Sequence, residues 1–186
     1  MNQALHLRKV SAHQPFDDVE SAHQQAISSF IQTHQNFYAR TLTVGHVTAS
    51  AWVINPAYTH ALLLHHKKLD RWLQPGGHIE SDPDVLAAAL REAREETGIT
   101  QLKVVNEAVF DIDIHTIPEN KKESEHQHYD IRYLFEADLN AMPIISDESN
   151  DVRWFMLEEI ASSNDEASIQ RMISKTINLR ESRYSS

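Results

Sequence analysis

Leu90-Arg91-Glu92-Ala93-Arg94-Glu95-Glu96-Thr97-Gly98-Ile99, preceded by Gln74-Pro75-Gly76-Gly77-His78-Ile79-Glu80, is the stretch on which the fold turns. A helical advance of about 100° per residue from Pro83 to Thr97 gathers Leu86, Ala89, Leu90, Ala93 and Thr97 on one stripe, the expected core contact, and Gly98 supplies the stop. Glu92, Glu95 and Glu96 fall on a different sector, with Glu92 and Glu96 one turn apart. Like charges at that spacing cost a helix a few tenths of a kcal/mol each, and only Arg91 and Arg94 are at hand to offset them. A divalent cation between the carboxylates reverses the sign, because hard cations take oxygen ligands and keep open positions for water and phosphate. A charged run of this kind is, by itself, more often a solvated helix face. The glycines upstream shift that reading, since Gly76 and Gly77 let backbone groups approach a ligand closely.

Outward from this segment, Phe16 to His34 places Val19, Ala22, Ala26, Phe30 and Ile31 at helical spacing, with Asp17 and Asp18 as cap candidates. This N-terminal helix packs on its own domain, covers a site, or meets a second copy in a homodimer. Thr43 to Ile54 and Ala61 to Leu64 read as strands. Phe110, Ile112 and Ile114 alternate with Asp111, Asp113 and His115, and Tyr129, Ile131, Tyr133 and Phe135 with polar neighbours, as in half-buried strands. The charged segment Pro118 to His126 between them reads as a loop. Val152 to Phe155 suggests a further strand, and Ile169, Met172, Ile173 and Ile177 a C-terminal helix. Strands interleaved with a few helices predict an α/β (α+β) fold with a mixed β-sheet. No repeat or linker divides the chain, so residues 1–40 are expected as a helical extension of one domain over 41–186.

Composition narrows the function. The 186 residues are 41% apolar and 24% charged, enough for one real core. No apolar run approaches the roughly 18 residues of a membrane span, and Met1 to Val10 lacks a signal peptide's apolar stretch, so a cytoplasmic location is expected. The absence of cysteine excludes disulfides and thiolate-bound zinc, leaving oxygen or imidazole for any metal. A formal charge of −10 argues against general nucleic-acid binding or an anionic membrane surface. A polyanionic small molecule remains accessible when divalent cations bridge it to carboxylates.

Gly77 through Ile99 resembles the Nudix box, G-x5-E-x7-R-E-U-x-E-E-x-G-U with U apolar, and Gly77, Arg91, Glu92, Ala93, Glu95, Glu96, Gly98 and Ile99 sit in register. The resemblance implies an α/β/α sandwich from about Thr41 to the C-terminus. It implies a pyrophosphohydrolase that uses Mg²⁺ or Mn²⁺ to cleave a phosphoanhydride bond in a nucleoside diphosphate linked to another moiety. Glu92 and Glu96 would be the principal metal ligands, Glu95 a ligand to a second metal or its waters, and the Gly77 carbonyl a further ligand, while Arg91 and Gly98 would be structural. One position departs: Pro83 stands where the box has its first glutamate, and the flanking Asp82 and Asp84 are out of register. That glutamate mainly supports the loop, so altered loop packing rather than lost catalysis is expected.

Water attack on phosphorus needs a general base. Glu95 is one candidate and Glu148 another, ranked just above Glu123 and Glu125; as isolated acids each also reads as a plain surface carboxylate. Glu92 would take part in catalysis through the metal it holds. His78 in the glycine loop, with Gly76, is placed to touch phosphate. His115 and His128 would meet if their strands pair, to bind substrate or, with a carboxylate, a transition metal; ordinary exposed or hydrogen-bonded histidines are the bland alternative. Trp72 and Trp154 could stack on a base, against core packing. A nucleotide-binding sensor without turnover is the competing function, motivated by Pro83 and opposed by the full set of Glu92, Glu95 and Glu96. Isomerase chemistry would need residues outside the box, and a scaffold would not need the acidic triad.

Overall fold

The computed structural model describes residues 2–119 and 124–184. From the N-terminus the chain forms α1 (Gln3–Ala12), α2 (Asp18–Thr33), β1 (Gly45–Ile54), β2 (His60–His66), β3 (Arg71–Leu73) and β4 (Gly76–His78). It continues through α3 (Val85–Thr97), β5 (Lys103–Val104), β6 (Asp111–Ile117), β7 (His126–Glu136), β8 (Ser149–Met156), α4 (Leu157–Ser163) and α5 (Ala167–Tyr184). The fold class is α+β with a mixed sheet, as the strand and helix pattern predicts. Two compact units result, one of Met1–Ser50, Gly76–Ala89 and Glu107–Tyr133, the other of Ala51–Pro75, Leu90–Asn106 and Leu134–Ser186. Among the described residues no helix is long and apolar enough to cross a membrane.

In the first unit, α2 starts where Asp17 caps it by accepting from the Glu20 N–H at 2.7 Å. Its Ile27, Phe30 and Ile31 are buried within the chain, each side chain contributing about 2 kcal/mol by removal from water. The expected stripe is only partly right: Phe30, stacked on Tyr129 at 4.1 Å, and Ile31 are buried, whereas Val19, Ala22 and Ala26 are exposed, so the packed face of α2 runs through Glu20, Ile27, Phe30 and Ile31. Glu20, fully buried, ties α2 to β6, since its Oε1 accepts from the Ile112 N–H at 3.1 Å and meets His13 Nε2 at 2.8 Å. The helix α1 was not expected; it carries few apolar residues and holds through His6 and Val10, both buried. β4 was expected as loop. It forms because Gly76 and Gly77 lie against β1, with Thr48 opposite His78 and Ser50 opposite Gly76 in antiparallel register. A side chain at Gly76 would place its Cβ 2.8 Å from the Ala49 carbonyl oxygen, so only glycine permits this approach.

β6 and β7 pair antiparallel from Asp111 opposite Arg132 to Ile117 opposite His126. The expected alternation of buried and exposed residues fails here, because β7 is buried continuously from Asp130 to Glu136. The polar residues are buried because they satisfy one another. Arg132 donates to Asp130 at 2.8 Å, Asp113 at 3.0 Å and Asp111 at 3.2 Å, and Thr48 and Ser50 hydroxyls donate to Asp130 at 3.0 and 2.9 Å. Burial pushes the Asp130 carboxyl up, but Arg132, His115 and these hydrogen bonds outweigh it and hold the group below the usual range.

In the second unit β2 is the spine. It pairs antiparallel with β8 from His60 opposite Met156 to His66 opposite Ser149, and with β3 from Leu64 opposite Leu73 to His66 opposite Arg71. Leu62, Leu63 and Leu64 are buried along it, and Trp52, also buried, donates from Nε1 to the Thr176 hydroxyl of α5 at 2.9 Å. Ile169, Met172 and Ile173 of α5 are core residues.

The α3 stripe needs correction. Val85, Ala88, Ala89, Ala93 and Thr97 are buried, whereas Leu86 and Leu90 are only half-buried, so the contact is made by small side chains that let the helix lie close. The helix begins two residues later than expected. Asp84 caps it, its Oδ1 accepting from the Ala87 N–H at 2.9 Å.

Candidate active site

On α3 the three glutamates occupy a sector of about 100°, and their surroundings differ across it. Glu95 is the outer one, with its side chain 60% exposed; Glu92 is half-buried, and Glu96 is buried on the core side. They therefore share a sector without sharing an environment. Arg91 locks the outer pair, Nη1 donating to Glu92 Oε1 at 2.9 Å and to Glu95 Oε2 at 3.0 Å. The Glu92 carboxyl is raised above the ordinary range by burial first, opposed by Arg91, and raised further by the charges of Glu95 and Glu148. Glu148 thus acts on Glu92 from the exposed turn before β8.

The donor set is carboxylate oxygen throughout. That chemistry fits a hard divalent cation, whose charge would offset the burial and the neighbouring Glu95 and Glu148 that raise Glu92. The glutamate oxygens are not drawn together as a ready-made trio, however. Among the described residues, the group whose ligand atoms all lie within 4.8 Å of one another is His46, His78 and His128.

At the far end of the same helix, Gly98 adopts a φ of +68°, and its N–H donates to the Arg94 carbonyl at 2.9 Å, closing the helix in the left-handed conformation glycine favours. A Cβ there would stand 2.7 Å from the Ile144 Cβ. Before the helix, Asp82 accepts from the Glu80 N–H at 3.2 Å and Asp84 caps α3, so both acids flanking Pro83 hold the loop.

The first unit carries the other predicted residues. Gly77 lies opposite Ala49 in the β1–β4 ladder, between Gly76 and His78. His115 and His128 are direct partners across β6 and β7, their ring centroids 5.4 Å apart. His78 lies 5.2 Å from His128, centroid to centroid, so the structure brings these three expected histidines onto one sheet face. Two more join them. His46 is 4.9 Å from His78, 4.8 Å from His128 and 5.1 Å from His126, and His126 Nε2 meets His128 Nε2 at 3.3 Å. Burial, then the neighbouring His115, His46 and His78, pull the His128 imidazolium down to about 2, so the ring is neutral at physiological pH. His46 escaped sequence reasoning; the polar alternation of His46, Thr48 and Ser50 along β1 was the available signal.

Of the remaining candidates, Glu125 is exposed before β7, and Glu123 lies outside the described residues. Trp72 packs edge-on against Phe155 at 4.7 Å with the Arg153 guanidinium 4.9 Å from its ring, a surface-layer packing role.

Comparison with known proteins agrees with this architecture. The NUDIX domain family model matches residues 44–175. Over 77 residues, 40% of this chain and 45% of the relative, the sequence is 38% identical to a probable DHNTP pyrophosphohydrolase of Lactococcus lactis subsp. cremoris. It is 32% identical to the asymmetrical bis(5'-nucleosyl)-tetraphosphatase of Mus musculus over 97 residues, 52% of this chain and 59% of that protein. The chain spans about half the length of these curated relatives. Among solved structures, a C. elegans Ap4A hydrolase binary complex superposes with a TM-score of 0.57 at 21% identity, covering 72% of this chain and 96% of that one. The E. coli dihydroneopterin triphosphate pyrophosphohydrolase gives 0.54 at 15% identity, covering 71% and 95%. At those identities the likeness shows the shared fold. With the family model matching most of its length and the motif of α3 in register, the chain belongs to the NUDIX domain family.

Proposed function

We propose that the protein is a pyrophosphohydrolase that cleaves a phosphoanhydride bond in a nucleoside diphosphate linked to another moiety, by attack of water on phosphorus. The observation that carries this reading is the α3 carboxylate group, where Glu92 is pushed up by burial and by Glu95 and Glu148 while Arg91 holds it in place. Glu92 and Glu96, with Glu95, would hold Mg²⁺ or Mn²⁺. When bound, such an ion polarises phosphoryl oxygens and offsets the charge of the leaving phosphate.

The chain's own groups do the rest. The attacking water gives up a proton as its oxygen bonds to phosphorus, and the bridging P–O bond breaks to leave two phosphorylated fragments. Glu148 is the favoured base, because Glu95 already accepts from Arg91 while Glu148 is exposed and electrostatically coupled to Glu92. His78, His115 and His128, with the backbone at Gly76, supply N–H donors to phosphate. Residues 1–40 serve as a helical extension to a hydrolase domain over 41–186.

The sensor reading rested on Pro83. Asp84 capping α3 and Asp82 tying the loop weigh against it, since the helix start is held without the missing glutamate. Substrate choice lies among dinucleoside polyphosphates, pteridine triphosphates and related anhydrides, the classes for which the relatives are named. The test is turnover of such a panel in ¹⁸O-water. Label in one phosphate of the product pair is the expected result, and unlabelled products or bound but uncleaved substrate would overturn the proposal.

A further inference from the structure

We infer that His46, His78 and His128 form a binding site for one transition-metal ion of the zinc type, separate in ligand chemistry from the α3 glutamates. Each residue offers one imidazole nitrogen, and the three nitrogens lie within 4.8 Å of one another. Donors on a shared tetrahedral ion stand about 3.3–3.4 Å apart, given a zinc–nitrogen bond of roughly 2.0–2.1 Å. Closing the remaining gap takes about 1 Å or less of side-chain adjustment at each ring.

The placement comes from the sheet. His46 sits on β1 two residues before Thr48, which is opposite His78 of β4, and His128 sits on β7 two residues before Asp130. The Thr48 and Ser50 hydroxyls both reach Asp130, so the even-numbered side chains of β1 and β7 point to one face. A site built on three strands is held by ladder register rather than by a loop, which lowers the ordering cost of binding. His46 is 1% exposed, so the ion would be shielded on one side, and three nitrogen ligands leave a fourth position open for water or a ligand oxygen.

Donor type sets the selectivity. Three neutral imidazoles suit zinc, cobalt, nickel or copper, whereas Mg²⁺ and Ca²⁺ prefer oxygen. A second layer is also present: His126 Nε2 lies 3.3 Å from His128 Nε2, and the His115 ring is 5.4 Å from that of His128. These two rings pack around His128 and restrict its rotation. With the ion in place, the imidazole nitrogens that face it are engaged, and a phosphate oxygen would reach this face through the open position. The inference rests on the trio's geometry and stands whether or not the chain hydrolyses anhydrides.

The experiment is a Co²⁺ titration of the full chain in saturating Mg²⁺, followed by visible absorption and then by displacement with Zn²⁺. The expected result is one Co²⁺ per chain with the strong bands of a four-coordinate site, displaced by Zn²⁺. His46→Gln and His128→Gln should each weaken binding at least ~10-fold, while Glu92→Gln and His65→Gln leave it unchanged. His128→Gln and His78→Gln, both at half-buried positions, carry the same test should the buried His46→Gln fail to fold. Loss of Co²⁺ to excess Mg²⁺, sensitivity to Glu92→Gln, or indifference to all three histidine substitutions would overturn the site.

Discussion

Arg91 and Glu95, one helical turn apart on α3, are joined at 3.0 Å, and the same Arg91 nitrogen also holds Glu92 at 2.9 Å. The family motif places an arginine immediately before its first helix glutamate, and here one guanidinium nitrogen orients two carboxylates. The pair with Glu95 is largely exposed, so its own contribution to stability is under about 1 kcal/mol. With the half-buried Glu92 pair included, Arg91→Met should lower the melting temperature by a few degrees at most while raising the Mg²⁺ concentration needed for half-maximal activity by several-fold. A large fall in melting temperature with an unaltered metal requirement would show that Arg91 serves the fold alone.

Arg132 stands in the opposite situation. It is 2% exposed and donates to Asp111, Asp113 and Asp130, so removing it leaves three carboxylates without their shared cation. Arg132→Met should cost roughly 3–5 kcal/mol in urea unfolding, the range for breaking a buried ion pair from one side. A loss below about 1 kcal/mol would contradict the network's structural role.

Gly98 closes α3 at a φ of +68° with Ile144 crowding its missing side chain. Gly98→Ala should lose about 1–3 kcal/mol, combining left-handed strain with the displacement of Ile144. Removing the neighbour's side chain, Cβ included, in a Gly98→Ala, Ile144→Gly double variant relieves the contact and leaves the left-handed strain at position 98, and non-additivity of the two changes is the expected outcome.

His6 links pH to the N-terminal helix. Its Nδ1 lies 2.7 Å from the Asn2 carbonyl and its Nε2 accepts from the Val85 N–H at the start of α3, 3.3 Å away, an arrangement only the neutral ring can make. Burial lowers its pKa from 6.5, outweighing the Asn2 hydrogen bond and Asp84. The unfolded chain thus binds a proton as pH falls through about 6.5 while the folded chain does not, so stability present above that pH declines below it. The slope of unfolding free energy against pH between neutrality and pH 5 should be smaller in His6→Gln. An identical slope would exclude His6 as a contributor.

The sequence made the α3 segment legible because three independent signals coincide there: the apolar stripe, the Gly98 stop and the glutamate spacing. The strands rich in β-branched residues were legible for the same reason of regular period. β4 was not, since Gly76-Gly77-His78 has no strand propensity and forms only by pairing with β1. Nor was α1, which carries few apolar residues and packs through His6, a residue that reads as exposed. Asp111, Asp130 and Arg132 look like a solvent face in sequence, and only their mutual pairing explains their burial. The same limit hid His46, whose partners His78 and His128 come from strands far apart in the chain.

The most direct test of the central claim is hydrolysis of the anhydride panel with and without Mg²⁺ or Mn²⁺, comparing the intact chain with Glu92→Gln and Glu96→Gln after each variant is shown to be folded. The account predicts turnover that requires the metal and falls by roughly two orders of magnitude or more in both variants, equivalent to about 2.7 kcal/mol of transition-state stabilisation. Turnover that persists without metal, or that neither substitution lowers, would contradict it.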